Sequence, residues 1–344
     1  MKLRIIRMDL PLKHVAIVMN STISVVRTLV VELEQDGLRG YGEVYEDKRF
    51  GITVEKMAQD LEGMREALAS YALADPIAFA RMISEKLEGK TEAQSALEMA
   101  ACDLWGKMLN QPLWRLWDMV PSNAPLSSYT LTLDSVFRIL EKFEEYPDWP
   151  IYRFKLGSSS DMDILREVRK KTKAIFRVDM DGTWTVEQTL KNLDELQDLG
   201  VELIEQPIHY EDWDGMARIH KASKIPIYAD ESCRSQEDIE KCAACFDGIN
   251  LKPSKFGGLF PTLMALGQTK YLGLKAMIGN TVESSVAASA VSQFAPALDC
   301  IYIDGPLLID RKVGYGVQLD HGKVIYSKEN GTGICFHNER RRAD

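Results

Sequence analysis

The stretch "PIYRFKLGSSSDMDILREVRKKTKAIFRVDMD" (residues 150–181) decides the fold. It runs from a short apolar strand through an amphipathic helix into a second apolar strand. The same alternation repeats from about residue 126 to residue 306, and the predicted strands read "LSSYTLTL", "PIYRFKLG", "IFRVDMD", "ELIEQP", "IPIYADES", "GINLKPS", "KAMIGNTVES" and "CIYIDGP". Repeated strand–helix units predict a parallel sheet, and eight of them predict a closed (β/α)8-type barrel.

The two ends of the chain have a different pattern. Residues 1–45 read as a strand hairpin or meander, and residues 53–117 carry apolar side chains at helical spacing. The first third is therefore predicted to be a small α+β module. The tail from about residue 313 returns to a hairpin-like pattern, and we expect it to fold back on that module.

Composition narrows the class of protein. The 344 residues include 45% hydrophobic and 27% charged residues, with a net charge of −9. The acidic balance argues against a nucleic-acid partner and against attachment to a membrane surface. No apolar run is long enough to cross a membrane. The six cysteines lie in apolar or helical contexts, so we expect a reduced, cytoplasmic protein. The Cys242-x-x-Cys245 pair is interpreted as two small residues on a packed helix, with a redox or zinc role as the alternative.

Charged residues recur where the predicted strands end. Arg153 and Lys155 lie on one face of their strand, since side chains two residues apart point the same way. The following strands end in carboxylates, another lysine and two further acids: Asp179, Glu205, Asp230, Lys252, Glu283 and Asp304. In a parallel barrel all these ends meet at one mouth, where active sites lie.

The order of these charges predicts a chemistry. Three neighbouring carboxylates, Asp179, Glu205 and Asp230, would repel one another unless a hard cation such as Mg²⁺ lay between them. Lys155 and Lys252 lie on either side and would face each other across the metal. Mg²⁺ and nearby cations would stabilise an enolate formed from a carboxylate substrate, and would lower the pKa of a lysine acting as base.

These motifs resemble the enolase superfamily, and its muconate lactonizing enzyme subgroup in particular. The matching segments, which are spread over nearly the whole chain, are "GYGEV" (40–44), "SALEMAACDLWGKMLNQPLWRLW" (95–117), "RFK" (153–155), "DMD" (179–181), "EQP" (205–207), "DES" (230–232) and "KPSKFGG" (252–258). Within the subgroup, "IDGPLL" (303–308) and "SSYTL" (127–131) look most like dipeptide epimerases of the Ala-Glu type.

The resemblance implies an α/β fold: a modified TIM barrel, (β/α)7β, at residues 121–312 beneath an α+β capping domain at residues 1–120 that the tail 313–344 completes. It implies that Asp179, Glu205 and Asp230 bind Mg²⁺, and that Lys155 and Lys252 are the acid/base pair, with Asp230 beside Lys252. Glu231 and Glu283 would support the site. The residues assigned to substrate binding are Thr130, Arg153, Glu283, Tyr302 and Asp304.

Three positions depart from the family pattern. Arg153 replaces the first lysine of a KxK motif, where it keeps the charge and offers a carboxylate-binding fork, but does not readily deprotonate. Tyr302 replaces the first aspartate of a DxD motif that holds a substrate ammonium, which leaves Asp304 and adds a hydroxyl or a cation–π face. Asp181 stands where an asparagine is usual. It is read as a turn or outer residue that adds negative charge near the site.

The predicted function is epimerisation of a dipeptide by 1,1-proton transfer, which needs both lysines. A loop over the site is expected around residues 15–30, and its apolar sequence favours a small or hydrophobic N-terminal substrate residue. Two alternatives share the fold: dehydration of the o-succinylbenzoate synthase type, which needs one base, and racemisation of N-acylamino acids, which does not need Asp304. A binding protein with a vestigial site is a further alternative. The sequence leaves open whether the protein forms a homo-oligomer.

Overall fold

The first part of the chain forms an antiparallel sheet. The computed structural model describes residues 1–18, 21–158, 161–279 and 282–336. The strands are ordered β1 (Lys2–Val18), β2 (Ser21–Gln35) and β3 (Leu38–Tyr45). Asp36 and Gly37 have φ values of 53° and 82° and make the two-residue turn between β2 and β3. Such left-handed turns match the twist of a hairpin, which is why Asp-Gly is favoured here.

The prediction of a loop around residues 15–30 is wrong for the described part of that segment, which forms two paired strands. Strands β1 and β2 stay paired almost to the hairpin tip, with Ala16 opposite Ile23, after a register shift between Pro11 and Ala16. Residues 19 and 20 lie outside the described residues. The apolar segment is a strand because its backbone groups are paired across the hairpin, which an apolar composition alone does not predict.

Five helices follow this sheet: α1 (Val54–Glu62), α2 (Arg65–Ala69), α3 (Pro76–Lys86), α4 (Thr91–Met108) and α5 (Leu113–Leu116). Thr53 caps α1, and Asp75 caps α3 ahead of a proline at the first helical position. Helix α4 lies directly against β3. Gly40 and Gly42 allow this approach, because a Cβ atom at either position would overlap with the α4 backbone.

Eight parallel strands form the second sheet: β4 (Tyr129–Leu131), β5 (Ile151–Lys155), β6 (Ile175–Asp179), β7 (Val201–Glu205), β8 (Ile227–Ala229), β9 (Gly248–Asn250), β10 (Lys275–Gly279) and β11 (Cys300–Tyr302). They are adjacent in chain order. A parallel bridge between Ser127 and Ile301, together with the 3.2 Å hydrogen bond from Ser128 N to Ile301 O, joins the last strand to the start of the first. The sheet therefore closes into a barrel.

Helices connect these strands in the expected alternation: α6 (Val136–Glu144), α7 (Met162–Arg169), α8 (Val186–Asp198), α9 (Trp213–Ala222), α10 (Asp238–Cys242), α11 (Pro253–Phe256), α12 (Leu259–Tyr271) and α13 (Ser285–Ser292). The short helix α14 (Gly305–Leu308) follows the last strand. The apolar faces of the helices and the outer faces of the strands form the largest core. The predicted (β/α)7β architecture is confirmed.

The tail forms two small antiparallel pairs. Strands β12 (Gly314–Tyr315) and β15 (Cys335–Phe336) pair with each other, as do β13 (Gln318–Asp320) and β14 (Lys323–Ile325). Phe336 stacks on Tyr41 of β3, with ring centroids 5.0 Å apart, so the end of the described tail contacts the N-terminal sheet. The domain boundaries at 120 and 312 stay a prediction, and residues 337–344 lie outside the described residues.

The paired cysteines are part of the barrel core. Cys242 ends α10, Cys245 follows it, and both are buried free thiols packed among apolar side chains. Both thiols are packed as interpreted, but Cys245 lies in the turn after the helix and not on it. Within the described part of the chain, no helix combines the length and the apolar character needed to cross a membrane.

Candidate active site

The charged strand ends meet at the carboxyl-terminal mouth of the barrel. Lys155, Asp179 and Glu205 are the last residues of β5, β6 and β7 and are register partners in the sheet. Asp230 follows β8 directly, and Lys252 lies two residues after β9. Since period two along a strand keeps side chains on one face, these groups share the interior of the barrel mouth.

Arg153 is the central cation. Its guanidinium contacts Asp179 and donates to Glu205 Oε2 from Nε at 3.0 Å and from Nη2 at 2.9 Å. Only 4% of its surface is exposed. The sequence predicted a clamp for the substrate carboxylate, whereas the structure places the guanidinium on two predicted metal ligands. That clamp role stays a prediction.

Lys155 lies among carboxylates. Its Nζ is 2.7 and 2.8 Å from the two oxygens of Asp181 and 3.2 Å from Asp179. Burial lowers its pKa, but Asp179 and Asp181 outweigh burial, and the pKa is raised although Arg153 opposes them. The lowered pKa was expected with Mg²⁺ bound to the carboxylates, and it stays a prediction. Asp181, which was read as a turn or outer residue, contacts the amine directly.

Lys252 and Lys255 hold Asp230 from two sides. Lys252 Nζ lies 2.6 Å from Asp230 Oδ2, and Lys255 Nζ lies 2.6 Å from Oδ1 and donates to the Asp230 carbonyl at 2.6 Å. Burial alone would raise the pKa of Asp230, but the two lysines keep it well below its usual range. Asp230 likewise raises the pKa of Lys252 against the effect of burial.

Asn250 and Tyr302 complete the surroundings of Glu205. The Asn250 amide donates to Glu205 Oε1 at 2.7 Å and to the Tyr302 hydroxyl at 2.6 Å, and that hydroxyl donates to Glu205 Oε1 at 3.1 Å. Burial raises the pKa of Glu205 to about 7, with Arg153 opposing and Asp179 and Asp230 reinforcing it. Tyr302 therefore faces the carboxylate row.

Asp304 is bound to Thr130 across the point of barrel closure. The Thr130 backbone N–H donates to Oδ2 at 2.6 Å, and its hydroxyl donates to Oδ1 at 3.3 Å. Asp304 is 1% exposed, and burial raises its pKa although Thr130 opposes this. The predicted substrate contacts of these two residues remain predictions.

The N-terminal module reaches into the site through Arg49, in the 3-10 turn Lys48–Phe50. Arg49 Nη1 lies 3.2 Å from Glu231 and 3.6 Å from Asp181, while Asp47 holds the other end of the guanidinium. Burial and Asp230 raise the pKa of Glu231 to about 8, although Lys252 and Arg49 oppose this. A cavity of about 370 Å³, counted with its open mouth, is lined by Arg49, Glu231 and Lys252 among others.

Glu283 and Lys252 both line a second cavity of about 310 Å³. They share this cavity with Glu43 of β3. Burial raises the pKa of Glu283 well above its usual value, with Glu43 adding to the shift and Lys252 opposing it. Glu283 thus lies beside a predicted base, while its predicted substrate contact is untested.

The donor set suits a hard divalent cation in chemistry. Asp179, Glu205 and Asp230 are buried oxygen donors at neighbouring strand ends, and Asp230 Oδ1 has no hydrogen bond of acceptable geometry despite the nearby Lys255. Among the described side chains, however, no three acidic, histidine or cysteine groups form a metal cluster. Cations contact each predicted ligand instead, and Arg153 takes two of them.

The sequence reasoning missed three contributors. Asn250 lies two residues before Lys252, so the period-two rule places both side chains on the same interior face. Asn250 could therefore have been predicted from the sequence. Lys255 is part of the "KPSKFGG" motif but was given no role, although it forms an ion pair with Asp230. Arg49 comes from a distant part of the chain, and no local pattern connects it with the barrel.

A closed barrel with two lysines and a carboxylate row at its mouth, reached by an α+β module, defines an enolase-type enzyme. The chain belongs to the mandelate racemase/muconate lactonizing enzyme family of the enolase superfamily. Residues 2–117 match the model "Mandelate racemase / muconate lactonizing enzyme, N-terminal domain", and residues 141–340 match "Enolase C-terminal domain-like". The family predicted from the motifs is confirmed.

Named relatives narrow the class of enzyme. The chain is 37% identical to an L-Ala-D/L-amino acid epimerase of Maribacter sp. and 38% identical to one of Flavobacterium johnsoniae, with 98% of this chain and 100% of each relative covered. A dipeptide epimerase of Methylococcus capsulatus, solved with Mg and L-Arg-D-Lys, has a TM-score of 0.88 and 25% identity, covering 97% of this chain and 99% of that one. The chain is an isomerase.

Proposed function

We propose that the protein is a Mg²⁺-dependent epimerase that inverts an α-carbon of a dipeptide by two-base 1,1-proton transfer. One observation carries this: Lys155 ends β5 and Lys252 follows β9, and these strands are four apart in an eight-stranded barrel, so the two lysines lie on opposite sides of its mouth with the carboxylate row between them. A substrate held between them presents one face of its α-carbon to each amine. The named epimerases among the relatives support the same reaction.

Each lysine carries out one proton transfer in each direction of the epimerisation. The lysine that is neutral removes the α-proton, and the opposite lysine, as an ammonium, gives a proton to the other face. Arg153 favours the neutral form of Lys155, while Asp179 and Asp181 oppose it. The base form of Lys155 therefore depends on compensation of those two carboxylates.

Asp179, Glu205 and Asp230 would hold the metal ion. When bound, Mg²⁺ supplies Lewis acidity that stabilises negative charge on the substrate carboxylate. Support comes from the donor chemistry and from the relative solved with Mg. We expect dialysis against EDTA to abolish turnover and added Mg²⁺ to restore it. Full turnover in EDTA would contradict the metal requirement.

Asp304 is the proposed partner of the substrate's α-ammonium, with Thr130 holding the carboxylate in place. The relatives named L-Ala-D/L-amino acid epimerases support a small N-terminal residue, as the apolar segment 15–30 suggested. The proposed substrate is therefore a dipeptide with a small or hydrophobic first residue, and the reaction inverts the α-carbon of the second residue.

A substrate screen in D₂O tests this function. Pools of L,L-dipeptides are incubated with protein and Mg²⁺, and mass spectrometry follows incorporation of one deuteron at the α-carbon together with formation of the L,D epimer. We expect both signals for dipeptides that begin with a small residue. Turnover confined to dipeptides with a charged first residue would contradict the proposed preference. Water loss without solvent deuterium in the product would indicate the dehydratase.

Racemisation of N-acylamino acids is a second candidate, favoured by one observation. Tyr302 replaces an acid that would hold an ammonium, and both oxygens of Asp304 already accept bonds from Thr130. A site with weak ammonium recognition suits a substrate whose nitrogen is acylated. N-succinyl amino acids belong in the same screen. A kcat/KM for them that exceeds every dipeptide value would replace the dipeptide proposal.

A further inference from the structure

We propose that Tyr302 is a positioning residue for Arg153, and that the pair regulates how tightly the carboxylate row binds its metal. The inference rests on the proposed function for the identity of that metal, Mg²⁺. The two residues are 149 positions apart, and each departs from the family pattern. The structure brings these two departures into direct contact inside the barrel.

The contact is a cation–π stack. The Arg153 guanidinium carbon lies 3.8 Å from the centre of the Tyr302 ring. Both residues are buried, with 4% and 2% of their surfaces exposed, so the attraction is not screened by water. A lysine would not make the same planar contact, because its ammonium is a point charge without a flat face. The arginine and the tyrosine therefore depend on each other.

Three further groups hold the ring in place. The Asn250 amide donates to the Tyr302 hydroxyl at 2.6 Å, and Gly279 N–H donates to Asn250 Oδ1 at 3.0 Å, which fixes the orientation of that amide. The hydroxyl donates in turn to Glu205. At Gly279 any Cβ atom would overlap with the Tyr302 ring, so the space for the ring exists only because this residue is glycine.

The arrangement fixes where the guanidinium lies. With Tyr302 on one face, the Arg153 fork is directed at Glu205 and Asp179, two of the three predicted metal ligands. Glu205 then accepts bonds from Arg153, Asn250 and Tyr302 at once. A divalent cation has to share or displace the Arg153 contacts, so the pair lowers metal affinity while it keeps the carboxylates ordered before metal binds.

The test is a double-mutant cycle with Mg²⁺ alone as the probe, measured by isothermal titration calorimetry without substrate. Tyr302→Leu removes the stack and should tighten Mg²⁺ binding by roughly fivefold or more, the lower end of usual coupling effects. In an Arg153→Lys background the same substitution should change affinity by less than about twofold. An equal effect in both backgrounds would overturn the inference, because Tyr302 would then act independently of Arg153.

Matched controls come from the interior of the same barrel, where Arg177 is the register partner of Arg153 and Tyr228 that of Glu205. Arg177 and Tyr228 are interior, buried residues, and Arg177 pairs with Glu202 at 2.7 Å. Arg177→Lys and Tyr228→Leu should lower stability without changing Mg²⁺ affinity. A matching change in affinity would show that loosening the barrel is sufficient, and would overturn the specific role of Tyr302.

Thermal unfolding of the metal-free protein provides the second readout. The stability losses of Tyr302→Leu and Arg153→Lys should be less than additive, and additive losses would overturn the pairing. Failure of this inference can be distinguished from failure of the proposed function. Wild type that binds Mg²⁺ and epimerises dipeptides, with no coupling between the two residues, would refute only the inference. Wild type that binds no Mg²⁺ would refute the metal role of the pair and the metal requirement together.

Discussion

Glu98 connects the N-terminal module to the barrel, and its substitution has a pH-dependent effect that the structure predicts. The carboxylate, on α4, accepts hydrogen bonds from the backbone N–H groups of Leu259 at 2.5 Å and Phe260 at 2.9 Å, in the first turn of α12. Gly258 allows the approach, since a Cβ atom there would overlap with the carboxylate. Burial raises the pKa of Glu98 to about 7, although these N–H groups oppose it.

The sign of the effect follows from proton binding. Between pH 4.5 and about 7 the folded protein holds a proton on Glu98 that the unfolded chain has released. The free energy of unfolding therefore falls as the pH rises through that interval. The full pKa change corresponds to about 3 kcal/mol, and it already includes the opposing effect of the α12 N–H groups. Most of this change falls between pH 5 and pH 8, so we expect a loss of about 2–3 kcal/mol over that interval.

Glu98→Gln removes the titration because glutamine does not ionise, although its NH2 group cannot accept one of the two α12 N–H bonds. In urea unfolding in EDTA, the stability difference between variant and wild type should therefore shift in favour of the variant by about 2–3 kcal/mol from pH 5 to pH 8. Glu85→Gln, at an exposed site on α3, should match wild type at both values. A stability difference between variant and wild type that is the same at pH 5 and pH 8 would refute the reasoning, because Glu98 would then not titrate in this interval.

Two further predictions concern the packing around the site. Gly279→Ala should lower the free energy of unfolding in urea by about 1–3 kcal/mol, because the new methyl group displaces the Tyr302 ring. The control Gly267→Ala lies in open space on α12 and should be neutral or stabilising. Equal effects of the two substitutions would contradict this account. Thr130→Val removes one hydrogen bond to Asp304 and should lower stability by about 1 kcal/mol. It should also raise the KM for dipeptides more than it lowers kcat. An unchanged KM would argue against Asp304 as the ammonium site.

The barrel and its row of charges could be predicted from sequence because both depend on local periodicity. Strands of the parallel sheet read as apolar segments, and each ends in a residue that shares the mouth of the barrel with its neighbours. The alignment of Lys155, Asp179 and Glu205 in register follows from that rule. The helices between them have the usual apolar stripe.

The remaining features depend on contacts that local patterns do not contain. The segment around residue 16 was predicted to be a loop because an apolar stretch does not reveal its pairing partner. The contact of Lys155 with Asp181 depends on the turn after β6, which the strand pattern does not predict. The stack of Arg153 on Tyr302 requires closure of the barrel, which brings β5 and β11 to opposite flanks of β4.

The most direct test of the two-lysine proposal is face-specific exchange. Lys155→Ala and Lys252→Ala are each incubated in D₂O with Mg²⁺ and a dipeptide substrate, supplied separately as the L,L and the L,D epimer. Proton NMR follows loss of the α-proton signal, and Lys191→Ala, at an exposed site on α8, serves as the control.

Both site variants should lose epimerisation by roughly 10²-fold to 10⁴-fold, while the control keeps it. Each should still exchange the α-proton of one epimer, and the two variants should act on opposite epimers, because each retains a lysine on a different face. Exchange of the same epimer by both variants, or epimerisation that survives loss of either lysine, would contradict the two-base account.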